Sequence, residues 1–195
     1  INGDYKGASE DYSTTLFILR FLNFFRPDLF NIKENRSFIG DLKFSLKDYK
    51  GALKEYYKNI EIEPKKSIHY FTLANVKTKL NHMEDAIDII NQYIKLTPLQ
   101  AGGYIMKGNA KYIMGEYKQA IKSFNKALTL NPESSFALRS RAYSKYELDD
   151  LKGSCSDYKL SIKNKYPNKK SIYKLTQYDF PLLYLPKYKE IDICN

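Results

Sequence analysis

Tryptophan is absent from this 195-residue chain, and cysteine and histidine occur only twice each. The two cysteines, Cys155 and Cys194, make no disulfide framework and no metal site. His69 and His82 are well separated along the chain and lack neighbouring cysteines, which argues against zinc. A phosphate-binding glycine loop is missing, as is a cluster of metal-ligand residues. The chain is therefore expected to be no enzyme and to carry no cofactor. Long hydrophobic runs are missing too. Leu16–Phe25 is apolar for only ten residues and contains Arg20, too short and too charged to cross a bilayer. No signal peptide is visible, and a cytoplasmic address is the expectation. The chain begins at Ile rather than Met, as expected of a fragment or a processed product.

Apolar residues make up 43%, enough for a core, and the aromatics are 18 Tyr and 11 Phe. Tyrosine suits half-buried positions, its ring packed and its hydroxyl wet. The net charge of +10 points to acidic partners, and it is unevenly placed. Residues 1–110 carry 16 basic and 13 acidic side chains, whereas residues 111–195 carry 16 and 9. Between Lys152 and Lys174 seven lysines face the single carboxylate of Asp157. Such a run reads as a solvated face or as an electrostatic docking patch.

The most informative pattern is a fixed period. Pro64, Pro98 and Pro132 are evenly spaced, each closing a similar segment. With proline set at position 32, Gly40, Ala74, Gly108 and Ala142 fall at position 8. Ala52, Ala86, Ala120 and Ser154 fall at position 20, and Tyr56, Ile90, Phe124 and Tyr158 at position 24. The physics is that of paired helices that cannot bury their apolar stripes alone and so must stack. Small residues let two helices approach, a large one fills the space between hairpins, and proline ends the second helix.

This pattern resembles the tetratricopeptide repeat (TPR) family over residues 33–168. The resemblance implies an all-α fold, a right-handed superhelical solenoid of antiparallel helical hairpins. The expected repeats are 33–66, 67–100, 101–134 and a degenerate 135–168, in which Ser154 and Ser161 replace alanines and proline slips to Pro167. Residues 1–32 read as the second helix of a repeat plus an elongated helix, 4–25, or a short added helix, 21–30. The exposed stacking face at that end leaves homo-oligomerisation open. Residues 169–195 read as a capping helix over 170–178 and an extended apolar tail, 180–186, broken by Pro181 and Pro186.

In such a solenoid the first helices line a concave groove. The resemblance places Phe38, Phe44, Phe71, Asn75, Ile105, Met106, Asn109, Tyr112, Phe136, Arg139, Tyr143 and Tyr146 there. Asn75 and Asn109 share position 9, where an amide offers donor and acceptor to a peptide main chain. The carboxylate clamp of chaperone-tail binders does not fit. Phe71, Met106, Phe136 and Ser140 stand where it needs lysine, asparagine, lysine and arginine, and only Asn75 agrees. Nucleic acid is disfavoured, because the lysines fall largely on second helices and the tail, away from the aromatics. The expected function is a protein-interaction scaffold that binds an extended or helical peptide. The alternatives are a structural spacer or oligomerisation module of a longer protein, and an RNA-associated helper.

Overall fold

The computed structural model describes residues 32–165. Among them are eight helices and no strand: α1 Ile32–Ser45, α2 Tyr49–Ile62, α3 Ser67–Lys79, α4 Met83–Leu96, α5 Ala101–Ile113, α6 Tyr117–Leu130, α7 Ser135–Tyr146 and α8 Leu151–Lys165. The expected helices over 4–25 or 21–30, the cap over 170–178 and the tail 180–186 lie outside the described residues.

Local chemistry sets where each helix stops. α2, α4 and α6 end at Ile62, Leu96 and Leu130, each just ahead of its proline, Pro64, Pro98 or Pro132. A proline crowds the residue before it out of the helical region. Glu63 and Asn131 accordingly sit at φ −129° and −140°. The first helix of each hairpin ends differently. Lys47, Asn81, Gly115 and Asp149 all have positive φ, between 60° and 75°, and they occupy the same place in successive repeats. Around each the backbone makes the same two bonds. Asp48 N–H donates to Lys43 O and Lys47 N–H to Phe44 O, and the other three turns repeat this with His82, Glu116 and Asp150. That is the Schellman closure of a helix through one left-handed residue. Asp48 and Asp150 then start the next helix, their Oδ1 atoms accepting from Gly51 and Gly153 N–H at 2.9 Å.

The chain divides into two compact units after Ile89. In the first, α1 packs on α2 and α2 on α3. Its core joins Ala52, Tyr56, Leu73 and Val76, with Phe44, Tyr49 and Ile89 at the margin. In the second unit α5 pairs with α6 and α7 with α8, while α6 lies against α7 and α5 touches α7. One core cluster there holds Tyr112, Ala120, Phe124 and Tyr143; another holds Ala127, Leu128, Ala137 and Leu138. The periodic small residues Ala52, Ala74, Ala86, Ala120 and Ala142 are all 0% exposed. Ser154 at the degenerate repeat is equally buried, its Oγ without a hydrogen-bond partner among the described residues. Cys155 on α8 is disulfide-bonded rather than a free thiol.

Candidate functional site

The residues assigned to the groove all lie on first helices: Phe38 and Phe44 on α1, and Phe71 and Asn75 on α3. Ile105, Met106, Asn109 and Tyr112 lie on α5, and Phe136, Arg139, Tyr143 and Tyr146 on α7. Phe44, Phe71, Asn75, Ile105, Met106, Asn109, Phe136 and Arg139 are half-buried, and Tyr146 is exposed. Tyr112 and Tyr143 are buried, with Phe124 and Ala120 between the two hairpins of the second unit. Tyr112 stacks obliquely on Tyr117 at 5.4 Å, and Phe44 meets Tyr49 in the same way at 5.5 Å. Both pairs close the turn of their hairpin, so these aromatics serve packing as well as any outward face.

Burial shapes their ionisation. Desolvation pushes the Tyr143 hydroxyl up to about 12, with nearby Tyr158 adding and Arg139 opposing. Tyr112 is raised by burial and by the Glu147 carboxylate, to which its hydroxyl donates at 3.2 Å. Tyr56 is raised by burial and by Asp41, 2.6 Å away. All three are neutral rings with hydroxyl donors at ordinary pH, so none is a nucleophile or a base.

Three polar atoms on neighbouring first helices of the second unit stand apart. Asn109 Oδ1 on α5, and Arg139 Nε and Ser140 Oγ on α7, are buried and have no hydrogen-bond partner among the described residues. Most buried polar atoms in folded proteins are paired, so each such exception asks for an explanation.

The sequence reading missed a second periodic feature. Lys43, Lys77, Lys111 and Lys145 recur once per repeat, three places after the small residue at position 8. The TPR pattern sets tyrosine there. Each lysine reaches a carboxylate of its own hairpin: Lys43 to Glu55 at 2.8 Å, Lys77 to Asp85 at 2.7 Å, Lys111 to Glu116 at 2.7 Å and Lys145 to Asp157 at 2.8 Å. Their side chains are only 13–21% exposed. The stem packs along the hairpin while the ammonium is held at its edge. The fourth is the most developed. Arg141 Nε and Nη2 donate to both oxygens of Asp157 at 2.7 and 2.6 Å, and its Nη1 donates to Asn125. In the first unit His69, 2% exposed, is tied through Nε2 to Glu63 across the Pro64 turn at 2.9 Å.

Among the described residues no group of three or more His, Cys, Asp or Glu is placed to hold a metal ion. Nor is any described helix long and apolar enough to cross a membrane.

Antiparallel hairpins with small residues at their crossings, and with left-handed turns and prolines recurring at one fixed period, define a helical-repeat protein of the TPR fold. Residues 101–134 match the tetratricopeptide repeat family. Among solved structures, a crystal structure of MamA is similar at TM-score 0.69 and 18% identity, covering 87% of this chain and 98% of that one. A second MamA crystal structure gives 0.68 at 19% identity, covering 89% and 92%. MamA from residue 41 to its end, from Desulfovibrio magneticus RS-1, gives 0.66 at 19%, covering 86% and 99%. No curated protein sequence matches the chain.

Proposed function

We propose that the chain is a non-enzymatic protein-interaction scaffold whose first-helix faces take an extended or helical peptide. Helical-repeat proteins build extended binding surfaces from the side chains that successive repeats present. The observation that carries the reading is the pair of unpartnered polar atoms, Asn109 Oδ1 and Arg139 Nε, on the adjoining helices α5 and α7. One is an acceptor and the other a donor, the complement that a peptide N–H and C=O supply. Met106 and Phe136, half-buried on the same helices, add adaptable apolar contact. The reading makes Asn75 the equivalent amide of the first unit, and the partner a protein.

A displayed random-peptide library tests this. Peptides enriched on the wild type should lose binding to Asn75→Ala/Asn109→Ala and to Arg139→Ala, with helical circular dichroism unchanged. Peptides that bind the wild type and all these variants equally would place the interaction elsewhere.

A further inference from the structure

Within the second unit the C-terminal half of α4, α5 and α6 line an open hollow of about 400 Å3. Four lysines line it, Lys107 and Lys111 from α5 and Lys122 and Lys126 from α6. Each pair is four residues apart, on one face of its helix, and the two pairs share one hollow. Like charges at this spacing cost stability in a helix, and here two such pairs converge. α5 and α6 together contain five lysines and no carboxylate, and the only acidic residue from 101 to 130 is Glu116 in their turn.

The four ammonium groups are not equivalent. Lys107 is held by the side-chain oxygen of Asn91 at 2.8 Å, and Lys111 by Glu116 at 2.7 Å. These two form a fixed wall. Lys122 and Lys126 are exposed, and among the described residues neither makes a hydrogen bond or ion pair. Their charge is available to a ligand.

We propose that this hollow is a second binding site, distinct from the first-helix faces, that takes an acidic peptide segment of a partner protein. Carboxylates satisfy Lys122 and Lys126, while the lining amide of Gln119 offers a donor and an acceptor to the peptide main chain. Charge complementarity gives such a site its association rate and its selectivity. The lining holds one aromatic ring, Tyr104, whose hydroxyl is already donated to the Pro98 carbonyl. That is no platform for successive stacked bases, which separates the site from a single-stranded nucleic-acid groove. A second copy of the chain, at net charge +10, is repelled.

The probe is a fluorescent decapeptide of alternating Asp and Glu around a central Leu, with its Asn/Gln counterpart as control. Anisotropy should report binding of the acidic peptide only, weakening as salt rises from low to physiological. Lys122→Glu/Lys126→Glu should lower affinity about tenfold or more, and Lys122→Gln/Lys126→Gln by less. Because both side chains are solvent-facing and unpaired, circular dichroism should stay unchanged. Asn109→Ala and Arg139→Ala should leave this binding intact, so the site stands or falls apart from the first-helix reading. Three results overturn it. One is equal affinity of wild type and double reversal. Another is an equal loss from reversing Lys152 and Lys159 on α8. The third is tighter binding of a single-stranded RNA decamer than of the acidic peptide, with the same dependence on Lys122 and Lys126.

Discussion

Gly108 packs against Phe124 so closely that a Cβ added to the glycine would fall 2.7 Å from Cδ1 of the ring. Gly40 stands in the same relation to Tyr56 in the first unit. Positions 8 and 24 thus meet inside one hairpin, and the ring continues from there into the core beside Tyr143. In an open helix Gly→Ala stabilises by about 0.5–1 kcal/mol. Gly108→Ala should do the opposite, costing roughly 1–3 kcal/mol by overpacking. Gly102→Ala, where the nearest atom is 3.9 Å away, is the control and should raise the melting temperature. If both substitutions stabilise, the Gly108–Phe124 contact is looser than described.

Ala120 is 0% exposed among Tyr112, Phe124 and Tyr143. Ala120→Leu should destabilise by roughly 1–3 kcal/mol, because no space exists for three further carbons. Melting with the wild type would mean that the hairpin frame is misassigned.

Gly115 separates backbone conformation from packing. Its φ is +75°, and among the described residues nothing lies within 4 Å of an added Cβ. Gly115→Ala should therefore cost about 1–2 kcal/mol through the left-handed backbone alone. The equivalent Asn81, at φ 61°, allows the reverse experiment. Asn81→Gly should be neutral or slightly stabilising in denaturant melts. A destabilised Asn81→Gly would show that the asparagine side chain, rather than its backbone, supports the turn.

The helical-repeat fold was legible because its two strongest constraints leave marks at a fixed spacing. Closeness at a helix crossing demands Gly or Ala, and a helix stop demands proline, so Gly40, Ala74, Gly108 and Ala142 announce themselves. The lysine series was equally periodic and still passed unread. Its partners Glu55, Asp85, Glu116 and Asp157 fall twelve, eight, five and twelve residues after their lysines, so no single spacing exposes the pairing. The depth of Tyr112 and Tyr143 was also hidden. A helix face that looks outward in a repeat frame turns inward where the neighbouring hairpin closes over it. The lysine-lined hollow draws on three helices, and no linear stretch of sequence presents it. Lysines of a net +10 chain look alike until their carboxylates are located.

Asp157 is the anchor of the fourth hairpin, 7% exposed in its side chain and bonded to Arg141 and Lys145. Burial pushes its carboxyl up, but the hydrogen bonds from those two cations outweigh it and hold the group below its ordinary 3.8. A lowered folded-state value means that the ionised form is favoured by folding. The contribution is whole above the ordinary value and disappears as pH falls through the lower one. Acid unfolding should thus sharpen below about pH 4. Asp157→Asn should cost roughly 3 kcal/mol at neutral pH, near the lower bound for breaking a buried pair, since Arg141 and Lys145 keep some access to water. It should also flatten the acid limb of the stability profile. An unchanged acid limb in the variant would assign that limb to other carboxylates.

At the alkaline end the buried tyrosines take over. Tyr143 ionises in the folded protein only near 12, against 10.0 for the free side chain. A raised value means that folding favours the neutral hydroxyl. The stability this represents is complete below pH 10, where neither state ionises, and declines as pH rises from there towards 12 because the unfolded chain releases its proton first. Tyr112 and Tyr56 are raised in the same direction, by burial together with Glu147 and Asp41. Thermal melts between pH 9 and 12 should therefore show a steep loss of stability above 10. Tyr143→Phe, which keeps the ring and removes the ionising group, should make that loss shallower. If Tyr143→Phe melts in parallel with the wild type across the whole range, the alkaline limb belongs to the other two rings. The matching Tyr112→Phe and Tyr56→Phe variants then identify which.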